Sequence, residues 1–148
     1  MNNPLYIGIL VNLLLWSYVL LCIFRSRQVV YECLAGAKYV IILFFFVIGF
    51  SIYMGDIQGY GLYNFLSIGS AGIVYYLVKS GIGTDGFYIL GRRYRYDSVS
   101  NVKIETLNKK MGLRFDYHKR SHYLFVKPEQ VKELKGYLDQ YYYQKKER

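Results

Sequence analysis

The chain has 148 residues, 53% of them hydrophobic, and a formal net charge of +9 at pH 7. Residues 79–148 contain sixteen lysines and arginines against eight acidic residues, a net of +8, whereas residues 1–78 contain only five charged residues. The charged half is too short for more than one small folded domain, which excludes a multidomain soluble organisation.

Three apolar runs fill the first half of the chain. The first has no charged residue over twenty positions, which is enough for a helix to cross the roughly 30 Å hydrocarbon layer of a bilayer. The second approaches spanning length only when it includes Lys38, whose long side chain can reach the membrane interface. The runs predict a three-helix transmembrane unit in residues 1–80, with helices over about 5–24, 38–55 and 60–78.

Polar and small residues inside these runs suggest how the helices associate. Asn12 and Asn64 are strongly polar within the spans, and we expect them to form hydrogen bonds between helices. Small residues around Gly69 and Gly72 give the third run a flat face on which another helix can pack closely. No ionisable residue lies at mid-membrane depth, which argues against an ion or proton pathway.

The orientation follows from the lysines and arginines that flank the spans. Arg25, Arg27 and Lys38 lie between the first two runs, and Lys79 follows the third. Because basic residues favour the cytoplasmic side, we predict a multi-pass protein of the cell membrane, with its N-terminus outside and a cytoplasmic domain over residues 81–148. The first run lacks a preceding basic region, which favours an uncleaved anchor over a signal peptide.

The pattern changes after a turn-forming segment at 81–86. Short stretches with period-two alternation predict strands over 87–90, 93–96, 102–107, 113–117 and 122–126. Pro128 then suits the start of a helix over about 129–143, with Val131, Leu134, Leu138 and Tyr141 on one face. The predicted domain is a small α+β unit, an antiparallel β-meander capped by a C-terminal helix.

Three segments of this domain carry a family resemblance. They are Ile82-Gly-Thr-Asp-Gly-Phe-Tyr-Ile-Leu-Gly91, Tyr96-Asp-Ser-Val-Ser-Asn-Val-Lys-Ile104 and Val131-Lys-Glu-Leu-Lys-Gly-Tyr-Leu138. Their order resembles the pleckstrin-homology-like (PH-like) domains of small bacterial membrane proteins of unknown function. The resemblance implies a barrel closed by a helix and names no catalytic residue. Because the strand-like part is shorter than a seven-stranded domain, we expect a partial PH-like barrel.

The sequence gives little support for catalysis. It contains no P-loop, zinc-protease, nucleophile-elbow or dinucleotide-binding motif. Asp116 and His118 would share one side of a strand, but solvated hairpin residues are the simpler interpretation. Cys22 and Cys33 form no CxxC pair and are interpreted as inert small apolar residues. We therefore predict no enzyme activity, no metal and no cofactor.

Basic residues of the second half cluster in three groups. We expect them to contact anionic lipid or a protein partner: Arg92, Arg93 and Arg95; Lys109 and Lys110; and Lys119 and Arg120. The alternative interpretation is a topology signal on a solvated surface. The last two groups lie at predicted hairpin tips, from which they could reach lipid headgroups. Nucleic acid is not expected, because the domain is tethered to a bilayer and lacks a nucleic-acid motif.

The sequence thus predicts a non-enzymatic membrane protein that presents a basic PH-like domain at the inner leaflet. Its expected partners are membrane lipids, an unidentified membrane or cytoplasmic protein, or a second copy of the chain. The alternative is a small accessory or immunity protein that acts through its helices on a transporter or a toxin target.

Overall fold

The computed structural model describes residues 4–55, 59–107 and 110–143. The chain forms two compact units. One contains Met1–Phe24 and Ala37–Val78 and is helical, and the other contains Arg25–Gly36 and Lys79–Arg148 and holds two sheets and a helix. Each unit therefore takes chain from two separate segments.

The helical unit has two helices long and apolar enough to cross a membrane. They are α1 (Pro4–Ser26) and α2 (Lys38–Gly55). In α2 only Gly49 is buried, and large apolar side chains such as Phe44 are exposed by more than half. An exposed apolar surface of this extent differs from the one-sided burial of a core helix in a soluble protein.

The third helix, α3 (Gly61–Tyr75), is shorter than its apolar run. The run predicts a helix over about 60–78, but the helix has 15 residues, about 22 Å in length. It ends because the amides of Tyr76, Leu77 and Val78 bond to carbonyls three residues back, and strand structure begins at Ser80. Within the part of the chain that the structure describes, two helices, and not the predicted three, therefore have the length and hydropathy of a membrane span.

Helices α2 and α3 pack through glycines that approach aromatic rings. A Cβ at Gly72 would lie 2.8 Å from Phe45 Cβ, and one at Gly69 would lie 3.3 Å from the ring of Phe46. Contacts this close leave no room for a larger residue at position 72. The flat face predicted in the third run is therefore in contact with α2.

The first sheet combines chain from both sides of the α2–α3 hairpin. Its antiparallel strands lie in the order β1 (Val29–Cys33), β2 (Ser80–Gly83), β3 (Gly86–Ile89) and β4 (Arg92–Arg95). Cys33 pairs with Ser80, and Val29 pairs with Gly83. A side chain at Gly81 would overlap the carbonyl oxygen of Tyr31, so glycine is required where β2 passes β1.

The second sheet is an antiparallel meander. It consists of β5 (Ser100–Leu107), β6 (Lys110–Tyr117) and β7 (Arg120–Phe125), and the 3₁₀ turn Tyr96–Ser98 precedes it. A bridge between Leu34 and Phe125 joins the two sheets, with backbone N–O distances of 2.9 and 3.0 Å. The predicted strands at 102–107 and 113–117 lie within this meander, and the one predicted at 122–126 overlaps β7 but extends one residue past its end.

A C-terminal helix covers the sheets. A 3₁₀ turn at Pro128–Gln130 leads into α4 (Val131–Leu138), and a π-helical turn follows at Asp139–Tyr143. Leu134 and Leu138 are buried in one core with Phe87, Phe115 and Leu124. The prediction that Tyr141 lies on the buried face of this helix is wrong, because Tyr142 is buried, whereas Tyr141 is 37% exposed. A π turn contains more residues than an α turn, so residue 142, rather than 141, lies on the same buried face as Leu138.

Two strands lie outside the predicted meander. The sequence pattern places a turn at 81–86 and puts residues 25–36 in the membrane unit, but Ser80–Gly83 and Val29–Cys33 are strands of the first sheet. The described residues thus contain seven strands in two antiparallel sheets, where the pattern predicts five strands and a partial barrel. The predicted α+β class agrees with this arrangement.

Candidate functional site

One end of the β-rich unit gathers cationic and aromatic side chains from both sheets. Alternation along each strand places Arg92 and Tyr94 of β4 on the same side, and likewise Phe115 and Tyr117 of β6 and Arg120 and His122 of β7. Tyr94 and Phe115 are buried core residues, so this is the side that faces the interior. We call the set Arg92, Tyr94, Tyr117, Arg120 and His122 the basic mouth.

Aromatic rings hold Arg92 in place. Its guanidinium carbon lies 5.3 Å from the ring centre of Tyr94 and 5.8 Å from that of Tyr117. The two tyrosine rings meet edge to face at 5.1 Å. Stacking of this kind positions the guanidinium while leaving its N–H groups available to an anion.

His122 lies one step deeper in the basic mouth. Its ring centre is 4.7 Å from that of Tyr94 and 5.5 Å from that of Phe115, its cross-strand partner. Burial lowers the pKa of His122 below its usual value, and the positive charges of Arg92 and Arg120 lower it further. The imidazole is therefore largely neutral at pH 7, and the nearby charge comes from the two arginines.

The turn that leads into β7 has an unusual backbone. His118 and Lys119 both have positive φ, 47° and 64°, and both are exposed. Two-residue hairpin turns of this kind favour Asn-Gly, because a side chain in the left-handed region costs about 1 kcal/mol or more. The turn therefore presents a histidine and a lysine beside Arg120 at a cost in backbone strain.

The other arginines of β4 face away from the mouth and are neutralised. Arg93 forms an ion pair with Asp85 at 2.9 Å, and Arg95 forms one with Asp97 at 2.9 Å. Among the described residues, by contrast, no carboxylate oxygen lies within 4.0 Å of the side-chain nitrogens of Arg92 or Arg120. The structure thus separates the first predicted basic group into one unpaired and two paired arginines.

The remaining predicted basic residues divide between the two ends of β6. Lys119 and Arg120 follow the end of this strand at Tyr117, whereas Lys110 begins it, about 24 Å away. Lys110 lies 5.8 Å from the ring centre of Phe125 and is exposed. Lys109 lies outside the described residues. One compact site therefore cannot include both hairpin tips.

In the helical unit, the two predicted asparagines meet. The side-chain amide of Asn12 donates to Asn64 Oδ1 at 2.9 Å and to the carbonyl of Gly8 at 3.0 Å. One turn further along, Trp16 Nε1 donates to Ser67 Oγ at 3.2 Å. Asn12 is 5% exposed. Hydrogen bonds between side chains thus link α1 to α3, while Asn12 Oδ1 has no hydrogen-bond partner among the described residues.

A second polar network stabilises the first sheet. The Tyr88 hydroxyl lies 2.6 Å from Asp85 Oδ1 and 2.5 Å from Gln28 Oε1, while Tyr96 donates to the carbonyl of Gly83 at 2.5 Å. Burial raises the pKa values of both tyrosines well above their usual range. These phenols remain protonated and join neighbouring segments, so the arrangement is structural.

Metal and thiol chemistry find no support in the described residues. No group of three or more histidine, cysteine, aspartate or glutamate side chains there could hold a metal ion. Cys33 is buried, and burial raises the pKa of its thiol to about 12. A thiol with so little thiolate at neutral pH is a poor nucleophile.

Three residues of the basic mouth are absent from the sequence-based candidates. The sequence pattern predicts Tyr94, Tyr117 and His122 only as strand or hairpin residues, because the predicted basic groups consist of lysines and arginines. The period-two pattern already places Tyr94 on the same side of β4 as Arg92. Their meeting with β7 depends on the packing of two sheets, which no local pattern encodes.

Comparison with protein-family models, with curated proteins and with solved structures finds no match to this chain.

Proposed function

We propose that this is a non-enzymatic integral membrane protein whose cytoplasmic, PH-like domain binds anionic lipid headgroups through the basic mouth. The observation that carries the proposal is the pair of unneutralised arginines. Arg92 comes from one sheet and Arg120 from the other, and neither has a carboxylate partner among the described residues.

The chemistry of the mouth suits a phosphate-bearing headgroup. Guanidinium groups present several N–H donors in a plane that matches phosphate oxygens. Each cation near an anionic leaflet contributes on the order of 1 kcal/mol to membrane attraction. The strained backbone at Lys119, which presents a further cation beside Arg120, supports a functional interpretation, since strained backbone is often retained where the side chain it presents has a function.

Strand pairing supports three crossings despite the short third helix. Because β1 and β2 are hydrogen-bonded neighbours, the chain just before α2 and the chain just after α3 lie on one side of any membrane. A chain that crosses through α2 must therefore return through α3. Local thinning of the bilayer can accommodate a helix of about 22 Å.

Flanking charges support a cytoplasmic position for the β-rich unit. Arg25, Arg27, Lys38 and Lys79 all lie where helices join the segments that form the sheets. Exposed loops rich in lysine and arginine favour the cytoplasmic side. The anionic inner leaflet would then be the surface nearest to the domain.

The strand arrangement supports the PH-like part of the proposal. Sheets of four and three antiparallel strands, followed by a helix that contributes Leu134 and Leu138 to their common core, agree with what the resemblance implies. One of the seven strands, β1, is formed by residues 29–33, which precede in the sequence the segments that carry the resemblance. The proposed domain is therefore interrupted by the α2–α3 hairpin.

Binding of a soluble anionic lipid by the full chain tests this function. The detergent-solubilised protein is titrated with short-chain phosphatidylglycerol, with short-chain phosphatidylcholine as the neutral control. We expect binding only to the anionic lipid. Affinity should fall in 1 M salt, where the Debye length shortens to about 3 Å.

Paired arginine variants locate the site. The double change Arg92→Gln and Arg120→Gln should weaken binding about twentyfold or more, since two cations are lost. The matched change Arg93→Gln and Arg95→Gln should have a much smaller effect, because both arginines already pair with aspartates. Equal losses would indicate diffuse surface charge and contradict a discrete mouth.

Two further outcomes separate lipid from other ligands. Inorganic phosphate at matched concentration should compete poorly if the lipid headgroup, and not phosphate alone, is recognised. Equal binding of phosphatidylcholine and phosphatidylglycerol, or no binding, would contradict the proposal and leave a protein partner or a helix-mediated accessory role as the alternative.

A further inference from the structure

We infer that His122 makes the basic mouth pH-sensitive, so that anion binding strengthens as the surroundings become more acidic. This inference rests on the proposed function, because it concerns the regulation of the same site. It starts from the position of the imidazole, which lies against the rings of Tyr94 and Phe115 and close enough to Arg92 and Arg120 for their charges to act on it. A charge that appears there adds to the charge of the two arginines.

The groups that face or flank His122 come from three strands and one turn. From β4 come the guanidinium of Arg92 and Tyr94, whose pKa burial raises. From β6 come Phe115, which carries no charge, Tyr117, and Asp116, whose pKa is lowered by hydrogen bonds from Ser121 and Asn101 and whose charge favours the protonated imidazole. From β7 comes Arg120, and from the turn come Lys119 and His118.

The sign of the effect follows from the charges. In the free protein burial, and then the charges of Arg92 and Arg120, disfavour the imidazolium more than Asp116 favours it, so its pKa lies below the usual value. A bound anion offsets the arginine charges and raises the pKa of His122 toward or above that value. Anion binding therefore takes up a proton, and affinity increases as pH falls through this range.

His118 provides a matched control. It is exposed in the turn, where its ring meets the outer edge of the mouth at Tyr117 with a centroid distance of 4.2 Å, while His122 is partly buried within the mouth. The chain contains only these two histidines. The variants His122→Gln and His118→Gln each leave a single imidazole, which makes its nuclear magnetic resonance signals simple to assign.

The test measures binding of short-chain phosphatidylglycerol to the full-length, detergent-solubilised protein between pH 5 and 8. The phosphodiester keeps a constant charge over this range, so the probe does not contribute to the pH dependence. We expect affinity at pH 5 to exceed that at pH 8 by about fivefold, the effect of one added cation. His118→Gln should keep this dependence, and His122→Gln should lose most of it.

A second measurement avoids dependence on the His122 variant. In the His118→Gln protein, the pKa of His122 read from its ring proton shifts should rise when saturating phosphatidylglycerol is added. Binding that is equally strong at both pH values, or a His122 pKa unchanged by lipid, would overturn this inference and leave the proposed function intact. No binding at any pH would overturn both.

Discussion

Cys33 and Ser80 are partners on neighbouring antiparallel strands, although helices α2 and α3 lie between them in the chain. The strand that ends at Cys33 leads into α2, and the strand that begins at Ser80 follows α3. Because of this pairing, the helical hairpin is an insertion in one sheet, and the β-rich unit cannot form from residues 79–148 alone.

The first prediction concerns the close contact between β1 and β2. Gly81→Ala should disrupt the sheet, because the new Cβ would overlap the carbonyl oxygen of Tyr31. Gly136→Ala is the control, since a Cβ there meets nothing within 4 Å and alanine favours helix by about 1 kcal/mol. Limited proteolysis in detergent should show rapid cleavage of the β-rich unit in the first variant only. Equal resistance of both variants would argue against the pairing.

The second prediction concerns the packing of α4 on the sheets. Leu134 is fully buried, so Leu134→Asp should destabilise the domain by about 4 kcal/mol or more through an unpaired buried charge. Lys132→Asp on the exposed side of the same helix should change stability by less than about 1 kcal/mol. Urea unfolding followed by tyrosine fluorescence measures the difference. A native-like midpoint for Leu134→Asp would be incompatible with the observed core.

The third prediction concerns the hydrogen bond between α1 and α3. A double-mutant cycle with Asn12→Leu and Asn64→Leu should give a coupling free energy of about 0.6 kcal/mol, typical of such bonds in membranes. Ser51→Ala is the control, because the Ser51 hydroxyl donates within its own helix, to the carbonyl of Val47. Thermal unfolding in detergent measures the change in unfolding free energy for each single variant and for the double variant. Additive effects of the two asparagine changes would indicate that the bond contributes nothing to helix association.

The fourth prediction concerns membrane topology. Reporter fusions after residue 148 should report the cytoplasm, and insertions within residues 56–60 should report the exterior. The reason is that lysine and arginine flank the sheet-forming segments, while the connection between α2 and α3 holds no basic residue. Signals from the same side at both sites would mean that α2 does not cross.

Local sequence pattern accounts for a large part of this fold. Alternation predicts β5, β6 and β7, and the spacing of Leu134 and Leu138 predicts α4 and its buried side. These elements pair with neighbours that are near in sequence, so local signals are sufficient. Hydropathy likewise predicts α1 and α2, because apolar length is a property of each segment alone.

The elements that the pattern misses depend on distant contacts. Residues 29–33 have β-branched and aromatic side chains, but only pairing with residues 80–83 makes them a strand. The basic mouth is similar, since Arg92 and Arg120 are visible as charges while their convergence requires the packing of both sheets. The ion pairs of Arg93 with Asp85 and of Arg95 with Asp97 are likewise visible only in the folded structure.

A cross-strand disulfide gives the most direct test of the interrupted sheet on which the proposed topology and domain rest. The change Ser80→Cys places a thiol opposite the natural Cys33, and paired strand positions lie within disulfide range. An added oxidant is required, because burial raises the pKa of Cys33 to about 12. After trypsin digestion, mass spectrometry should find the peptide that contains residue 33 linked to the one that contains residue 80. The control Ser121→Cys should give no such link, because Ser121 lies at the end of β7 away from the Leu34 bridge. Absence of the 33–80 link under conditions that oxidise both thiols would contradict the insertion of the helical hairpin between β1 and β2.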